Sequence, residues 1–366
     1  MSFNFLFDTL LKVSVLCKGS ERQNNRNRII TNNQVYKEMK PNYAAITAVA
    51  GWVPSDKLTN ADLEKMVETN DEWIVSRTGI KERRILKEEG KGTSYMATKA
   101  AEQILEKRGI SGQEIDLIIC ATATPDYGFV SVANIVADAI ESTAMSFDVS
   151  AACSGFVYAL EMASNFIQSG NYKKALVIGA DKMSSVINYN DRTTCILFGD
   201  GAGAALLEPD EHYGIQDAKL YSYGKGSELL RVKRGGSAMP LASNEDLLER
   251  EHYFYQDGKA VFRHAVTKMS DVAAEVLGRN ELSGEDVDWV IPHQANMRII
   301  EATANRMKVD MEKVTVNIEK YGNTTGATIP LCLWEWEEKF KKGDKIVLAA
   351  FGGGFTWGSM YLTWAY

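Results

Sequence analysis

Cys153 lies in DVSAACSGF, after a short strand-like run and directly before a helical pattern whose apolar positions are Phe156, Leu160, Ala163 and Ile167. A thiol at a helix start faces unpaired backbone N–H groups and the positive end of the helix dipole, which favour the thiolate and pull its pKa below the free value of ~8.5. Ala151, Ala152, Ser154 and Gly155 are small enough for a substrate to reach the sulfur. The chemistry indicated is nucleophilic, although a cysteine among small residues also suits a packed core. His293, in VIPHQAN, follows a strand pattern and sits at its carboxyl end, whereas His212, His252 and His264 have no comparable setting. Asn323, in YGNTTGATIP, occupies a glycine-bracketed loop, where asparagine most often only forms a turn. The run FGGGFTWG, residues 351–358, brings bare N–H groups near a ligand as an oxyanion hole demands, or is a plain tight turn.

What must position these residues is visible as an internal repeat. AEQILEKRGISGQEIDLII, residues 101–119, and AAEVLGRNELSGEDVDWVI, residues 273–291, run in register about 172 residues apart, each an amphipathic helix, a Ser-Gly turn and a buried strand. Residues 153–170 then precede the strand ALVIGA, as residues 326–343 precede IVLAAF. Both read as a helix ending at glycine and a strand without alternation, the pattern of a sheet covered on both faces. The chain therefore reads as two α/β halves of similar topology, 43–213 and 214–366, preceded by an Asn- and Arg-rich extension, 1–42, expected to be poorly ordered. The repeat places Cys153, His293, Asn323 and the glycine run at equivalent strand ends, where sites in such folds are built.

Composition removes several classes. With 366 residues, 45% of them hydrophobic, the chain can bury a large core, and a formal charge of -7 argues against a nucleic-acid binder. Five cysteines without C-x-x-C spacing suggest neither zinc nor a disulfide framework and fit a reducing, cytoplasmic setting. No apolar run approaches the ~20 residues of a membrane span. Gly199-Asp200-Gly201-Ala202-Gly203 imitates a dinucleotide loop, but the following AALLEP reads as a strand ended by Pro209, so no NAD site is inferred. No metal and no other cofactor is expected.

The segments TNDEWIVSRTGIKERRI, DVSAACSGF, GADKMSS, DRTTCILFGDGAGAALLEP, PHQANMRII, YGNTTGATIP and FGGGFTWG together resemble the β-ketoacyl-acyl-carrier-protein synthase III family, over residues 43–366. The resemblance implies a thiolase-like fold layered α-β-α-β-α. It implies Cys153 as nucleophile, His293 and Asn323 as donors to the malonyl thioester, the N–H groups of Cys153 and Gly353 as the oxyanion hole, and Phe351 packed beside the cysteine. Trp73 and Arg192 are implied to sandwich the adenine of coenzyme A, with Arg77 near its phosphates; an indole and a guanidinium both stack on a purine. Arg263, Arg298 and Arg306 are implied to meet an acidic carrier protein, and Phe129 to enter the partner's acyl pocket in a homodimer. Two departures stand out. Phe129-Val130-Ser131 replaces the usual Phe-Pro-Ser, and residues 141–146 are one residue short, which leaves acyl-chain preference open.

The implied reaction is ping-pong. An acyl-CoA, acetyl-CoA foremost, acylates Cys153, and malonyl-acyl-carrier protein then loses carbon dioxide and attacks the acyl group to give a 3-oxoacyl-carrier protein. The nearest rival is a synthase of quinolone- or polyketide-like products on the same fold. A thiolase would carry a second cysteine in residues 351–358, which have none. A cysteine protease would need a peptide groove and a base paired to its thiol. A non-catalytic binding protein would have no use for all three of Cys153, His293 and Asn323.

Overall fold

The computed structural model describes residues 42–233, 235–240 and 249–366; the extension read from the sequence therefore lies outside the described residues, apart from Asn42. Nine strands form two sheets. They are β1 (Tyr43–Trp52), β2 (Leu117–Ala121), β3 (Met145–Val149), β4 (Ala175–Lys182), β5 (Asp200–Asp210), β6 (Gly214–Ser222), β7 (Trp289–Pro292), β8 (Lys345–Gly352) and β9 (Thr356–Thr363). The first sheet has the order β1-β5-β4-β2-β3 and the second β7-β8-β9-β6. In each, a parallel pair (β2 with β4, β7 with β8) is extended by two antiparallel strands, so the sheets are mixed rather than wholly parallel. Only β3, parallel to β2 at the edge of the first sheet, lacks a counterpart in the second.

The repeat follows from the sequence in detail. Helices α2 (Thr93–Arg108), α3 (Val132–Ala139), α4 (Gly155–Gln168), α5 (Gly258–Arg279), α6 (Met297–Met307) and α7 (Thr328–Trp336) cover the sheets, and α1 (Asp71–Thr78) packs beside α6. After α2, Ser111 and Glu114 close a capping box that leads into β2; after α5, Ser283 and Asp286 do the same ahead of β7. Helices α2 and α3 lie on the outer face of the first sheet, α5 on the outer face of the second, and α4 and α7 between the two, which gives the α-β-α-β-α layering. Phe156, Leu160, Ala163 and Ile167 of α4 are all completely buried in that middle layer.

One element departs from the expectation. The second middle helix does not run to Gly343: α7 stops at Trp336, a 3-10 turn follows over Glu337–Lys339, and Phe340 turns extended. Its ring is thereby inserted between Trp289 and Trp364, at 5.5 and 5.0 Å between centroids, an aromatic packing worth more than another helical turn on the surface.

Candidate active site

The two halves touch through two short 3-10 turns, Ala152–Ser154 before α4 and Thr325–Ala327 before α7. Each contains a non-glycine residue in the left-handed region, Ala152 at φ 45° and Thr325 at φ 50°. Such backbone is costly and is held only where its surroundings enforce it. The contact is close: a Cβ on Gly179 of β4 would stand 2.2 Å from the carbonyl oxygen of Gly326. Around these turns lies a cavity of about 470 Å³ whose wall includes Cys153, His293, Asn323, Phe351 and Gly353. The structure thus brings together all five residues that the sequence placed at the reacting centre.

Cys153 is 9% exposed and lines the cavity. Burial pushes its thiol up, the nearby Asp181 carboxylate adds to the rise, and Cys153's own N–H and the Asn323 side chain work the other way. The lowered pKa expected from the helix start is therefore outweighed by desolvation. Gly352 faces this turn. A Cβ there would lie 2.7 Å from the Cys153 nitrogen and 2.9 Å from the Ser154 nitrogen, so only glycine lets this strand end approach the turn so closely.

His293 continues β7, its N–H donating to the Ala349 carbonyl at 2.8 Å. Gln294 locks the turn: its amide donates to Pro292 and Thr315 carbonyls, and its oxygen accepts from the N–H groups of Asn317 and Ile318. The imidazole Nδ1 lies 2.7 Å from Thr328 Oγ1, and burial pushes the ring's pKa down to about 3. His293 is therefore neutral across the physiological range. The Asn323 carboxamide oxygen accepts from Thr325 N–H at 2.9 Å, which leaves its NH₂ as the end free to donate into the cavity. Asn323 N–H in turn donates to Leu197.

Asp181, at the end of β4, is wholly buried and accepts from the N–H groups of Ala123, Thr124 and Gly326 and from the hydroxyls of Thr122 and Thr124. It ties the first half to the loop that carries Asn323. Sequence reading missed Gln294, Thr328 and Asp181. The signal for Asp181 was present, since an aspartate closing the apolar run ALVIGA has to be paired. The Gly199–Gly203 run enters the strand β5 instead of a helix.

The remaining candidates lie outside the cavity lining. Arg77 and Arg192 both lie over the Trp73 indole, at 4.8 and 5.5 Å from the ring centroid, and Trp73 and Arg192 share a smaller cleft with Glu68, Thr69 and Asn70. Asn296 donates to the Arg77 carbonyl at 2.8 Å, joining α1 to the start of α6. Arg263 on α5 and Arg298 and Arg306 on α6 are exposed. Arg298 lies over the Phe262 ring at the cavity wall, whereas Arg306 is engaged by Asp271 at 3.1 Å. Phe129 is fully exposed and lies apart from this chain's own cavity lining. Among the described residues no helix is long and apolar enough to cross a membrane.

Comparison with known proteins shows the family. Residues 147–224 match the family model described as 3-oxoacyl-[acyl-carrier-protein] synthase III, and residues 277–364 its C-terminal model. The chain is 56% identical over 325 residues to the beta-ketoacyl-[acyl-carrier-protein] synthase III of Porphyromonas gingivalis, covering 88% of this chain and 97% of that protein. It is 55% identical over 327 residues to the same-named protein of Chlorobaculum tepidum, covering 88% and 99%. The crystal structure of 3-oxoacyl-[acyl-carrier-protein] synthase III from Aquifex aeolicus superposes with a TM-score of 0.81 at 44% identity, over 88% of this chain and all of that one. The chain belongs to the β-ketoacyl-acyl-carrier-protein synthase III family of thiolase-fold condensing enzymes, which transfer acyl groups to start fatty acid synthesis.

Proposed function

We propose that this enzyme initiates fatty acid synthesis through an acetyl-Cys153 intermediate and a decarboxylative condensation with malonyl-acyl-carrier protein. The observation that carries the reading is the single cavity that joins Cys153 and its N–H group from one half to His293, Asn323 and Gly353 from the other. Two charge-stabilising sites around one sulfur suit two successive thioester reactions.

In the first, the Cys153 sulfur attacks the acetyl-CoA carbonyl, and the N–H groups of Cys153 and Gly353 hold the tetrahedral oxyanion. The carbon–sulfur bond to CoA breaks, and CoA leaves with the proton that Cys153 gave up. In the second, the malonyl thioester oxygen accepts from His293 Nε2–H and the Asn323 NH₂. The bond to the carboxylate breaks, its electron pair becomes an enolate held by those donors, and carbon dioxide leaves. The enolate carbon attacks acetyl-Cys153, and the sulfur departs and is reprotonated. Phe351, 4% exposed and braced by Phe355 at 4.9 Å, supplies an apolar wall that favours loss of the carboxylate charge.

CoA is proposed to bind with its adenine against Trp73 and Arg192 and its phosphates near Arg77, and the carrier protein to meet Arg263 and Arg298, with Arg306 joining once it leaves Asp271. A homodimer is proposed because β3 presents an unpaired edge, and Phe129, Val130 and Met145 expose apolar surface. The cytoplasm is the proposed compartment, in keeping with four free, buried cysteines among the described residues. A polyketide role is disfavoured: the priming β-ketosynthase of the R1128 polyketide pathway is 30% identical, far below the relatives above.

Intact-mass measurement after mixing with a panel of acyl-CoAs tests the reading. One acetyl group on wild type and none on Cys153→Ala supports it, and acetylation that survives in Cys153→Ala refutes it.

A further inference from the structure

The two oxyanion donors come from opposite halves of the chain, where the strand end at Gly352 packs against the Cys153 turn. Cys153 N–H is carried by the turn before α4, and Gly353 N–H by the connection between β8 and β9. Two hydroxyls bridge them. Ser154 Oγ lies 2.7 Å from Thr356 Oγ1, across 202 residues of sequence. Thr356 Oγ1 also lies 2.9 Å from the Gly353 carbonyl and 3.0 Å from the Ala151 carbonyl, and Ser154 Oγ lies 2.8 Å from the same Ala151 carbonyl. We infer that Ser154 and Thr356 are positioning residues that hold the Cys153 and Gly353 N–H groups at the separation the oxyanion requires.

The ordinary reading of a serine at the start of a helix is an N-cap. Ser154 stands at the N-cap of α4 but makes no side-chain cap bond. Its hydroxyl is turned back to Ala151 and across to Thr356, although it is wholly buried and a capping bond would have been its usual use. Two hydroxyl protons are shared among the two hydroxyl oxygens and the two carbonyls. The distribution that links the two halves has Ser154 donating to Thr356 Oγ1 and Thr356 donating to the Gly353 carbonyl, which connects the residue whose N–H is one donor to the turn that carries the other. Oxyanion donors work only within about 2.7–3.1 Å of the developing charge, and a misplacement of about 1 Å costs on the order of 100-fold.

The inference rests on the oxyanion hole proposed above. The test uses the full chain and follows the rate of acetyl-enzyme formation at saturating acetyl-CoA, its KM, and carbon dioxide release from malonyl-carrier protein in a Cys153→Ala background. Thr356→Val keeps the shape and removes the hydroxyl. It is expected to slow acetylation about 10- to 100-fold, with KM and decarboxylation within about twofold of wild type, while Thr356→Ser restores the rate. Ser154→Ala is expected to lose about as much, and the double variant no more than the worse single, since the pair acts as one unit. Ser154→Ala carries the test by itself if Thr356→Val does not fold. Unchanged acetylation in both, failure of Thr356→Ser to rescue, or a parallel fall in decarboxylation overturns the inference. Gly353→Pro, which deletes the donor itself, separates the two levels. Fast acetylation in Gly353→Pro refutes the oxyanion hole, whereas slow acetylation there with normal rates in Thr356→Val and Ser154→Ala refutes only the hydroxyl pair.

Discussion

His293 Nδ1 and Thr328 Oγ1 are 2.7 Å apart, and the hydrogen bond between them decides which nitrogen faces the substrate. Thr328 Oγ1 also lies 3.0 Å from the Thr325 carbonyl, which accepts the Thr328 backbone N–H and has a second lone pair for the hydroxyl. The hydroxyl proton therefore has two acceptors: on Thr325 it leaves the ring proton on Nδ1, and on Nδ1 it leaves the ring proton on Nε2, the tautomer that donation to an enolate oxygen requires. We expect ¹⁵N spectra of the free enzyme to show His293 protonated at Nε2 and unchanged from pH 8 to pH 5, since burial holds its pKa at about 3. A ring that gains a second proton near pH 6.5 contradicts this. The same depression means that stability from the neutral buried ring is present above about pH 6.5 and is lost as pH falls toward 3.

The thiol titrates in the other direction. Burial and Asp181 both raise the Cys153 pKa, so its thiolate fraction grows with pH throughout the neutral range. Alkylation of the free enzyme by iodoacetamide should still be rising between pH 7 and pH 9. A plateau reached by pH 7 would show that the helix start outweighs burial after all.

Gly352 offers a steric test of the oxyanion space. The Cβ of Gly352→Ala would meet the Cys153 nitrogen at 2.7 Å, so the turn must shift. Loss of a positioned donor costs about 100- to 1000-fold in the step it serves. Acetyl-enzyme formation in Gly352→Ala should fall by that order, and a rate within about threefold of wild type would place the oxyanion elsewhere.

Trp73 tests the coenzyme site. Its indole already stacks with Arg77 and Arg192, and such contacts contribute about 0.5–2 kcal/mol, roughly two- to thirtyfold in affinity. Trp73→Ala should raise the KM for acetyl-CoA by that factor with kcat nearly unchanged. A fall in kcat at constant KM would mean that Trp73 acts on the reacting centre instead.

Sequence carried the site's skeleton because the repeat is written twice. The paired Ser-Gly turns at Ser111 and Ser283 set the frame, and Cys153, His293 and Asn323 then fall at matching edges. What it did not carry was whatever depends on approach between the halves. The Ser154 to Thr356 contact spans 202 residues, Gly179 meets Gly326 only once the sheets stack, and Thr328 gains its meaning from lying beside His293. The thiol's pKa was misread for the same reason. A helix start is visible in one segment, while the burial that outweighs it is assembled from both halves. The early end of α7 depends likewise on Trp289 and Trp364 closing over Phe340.

The central claim is that one sulfur serves two chemically separate half-reactions, each with its own donors. The most direct measurement follows acetyl-enzyme by mass and labelled carbon dioxide from malonyl-carrier protein in parallel, for Cys153→Ala, His293→Ala and Asn323→Ala. We expect Cys153→Ala to form no acetyl-enzyme yet still release carbon dioxide. His293→Ala and Asn323→Ala should accept acetyl while losing about 100- to 1000-fold in carbon dioxide release. If His293→Ala instead abolishes acetylation and leaves decarboxylation intact, His293 is the base for Cys153 and the division of roles is wrong.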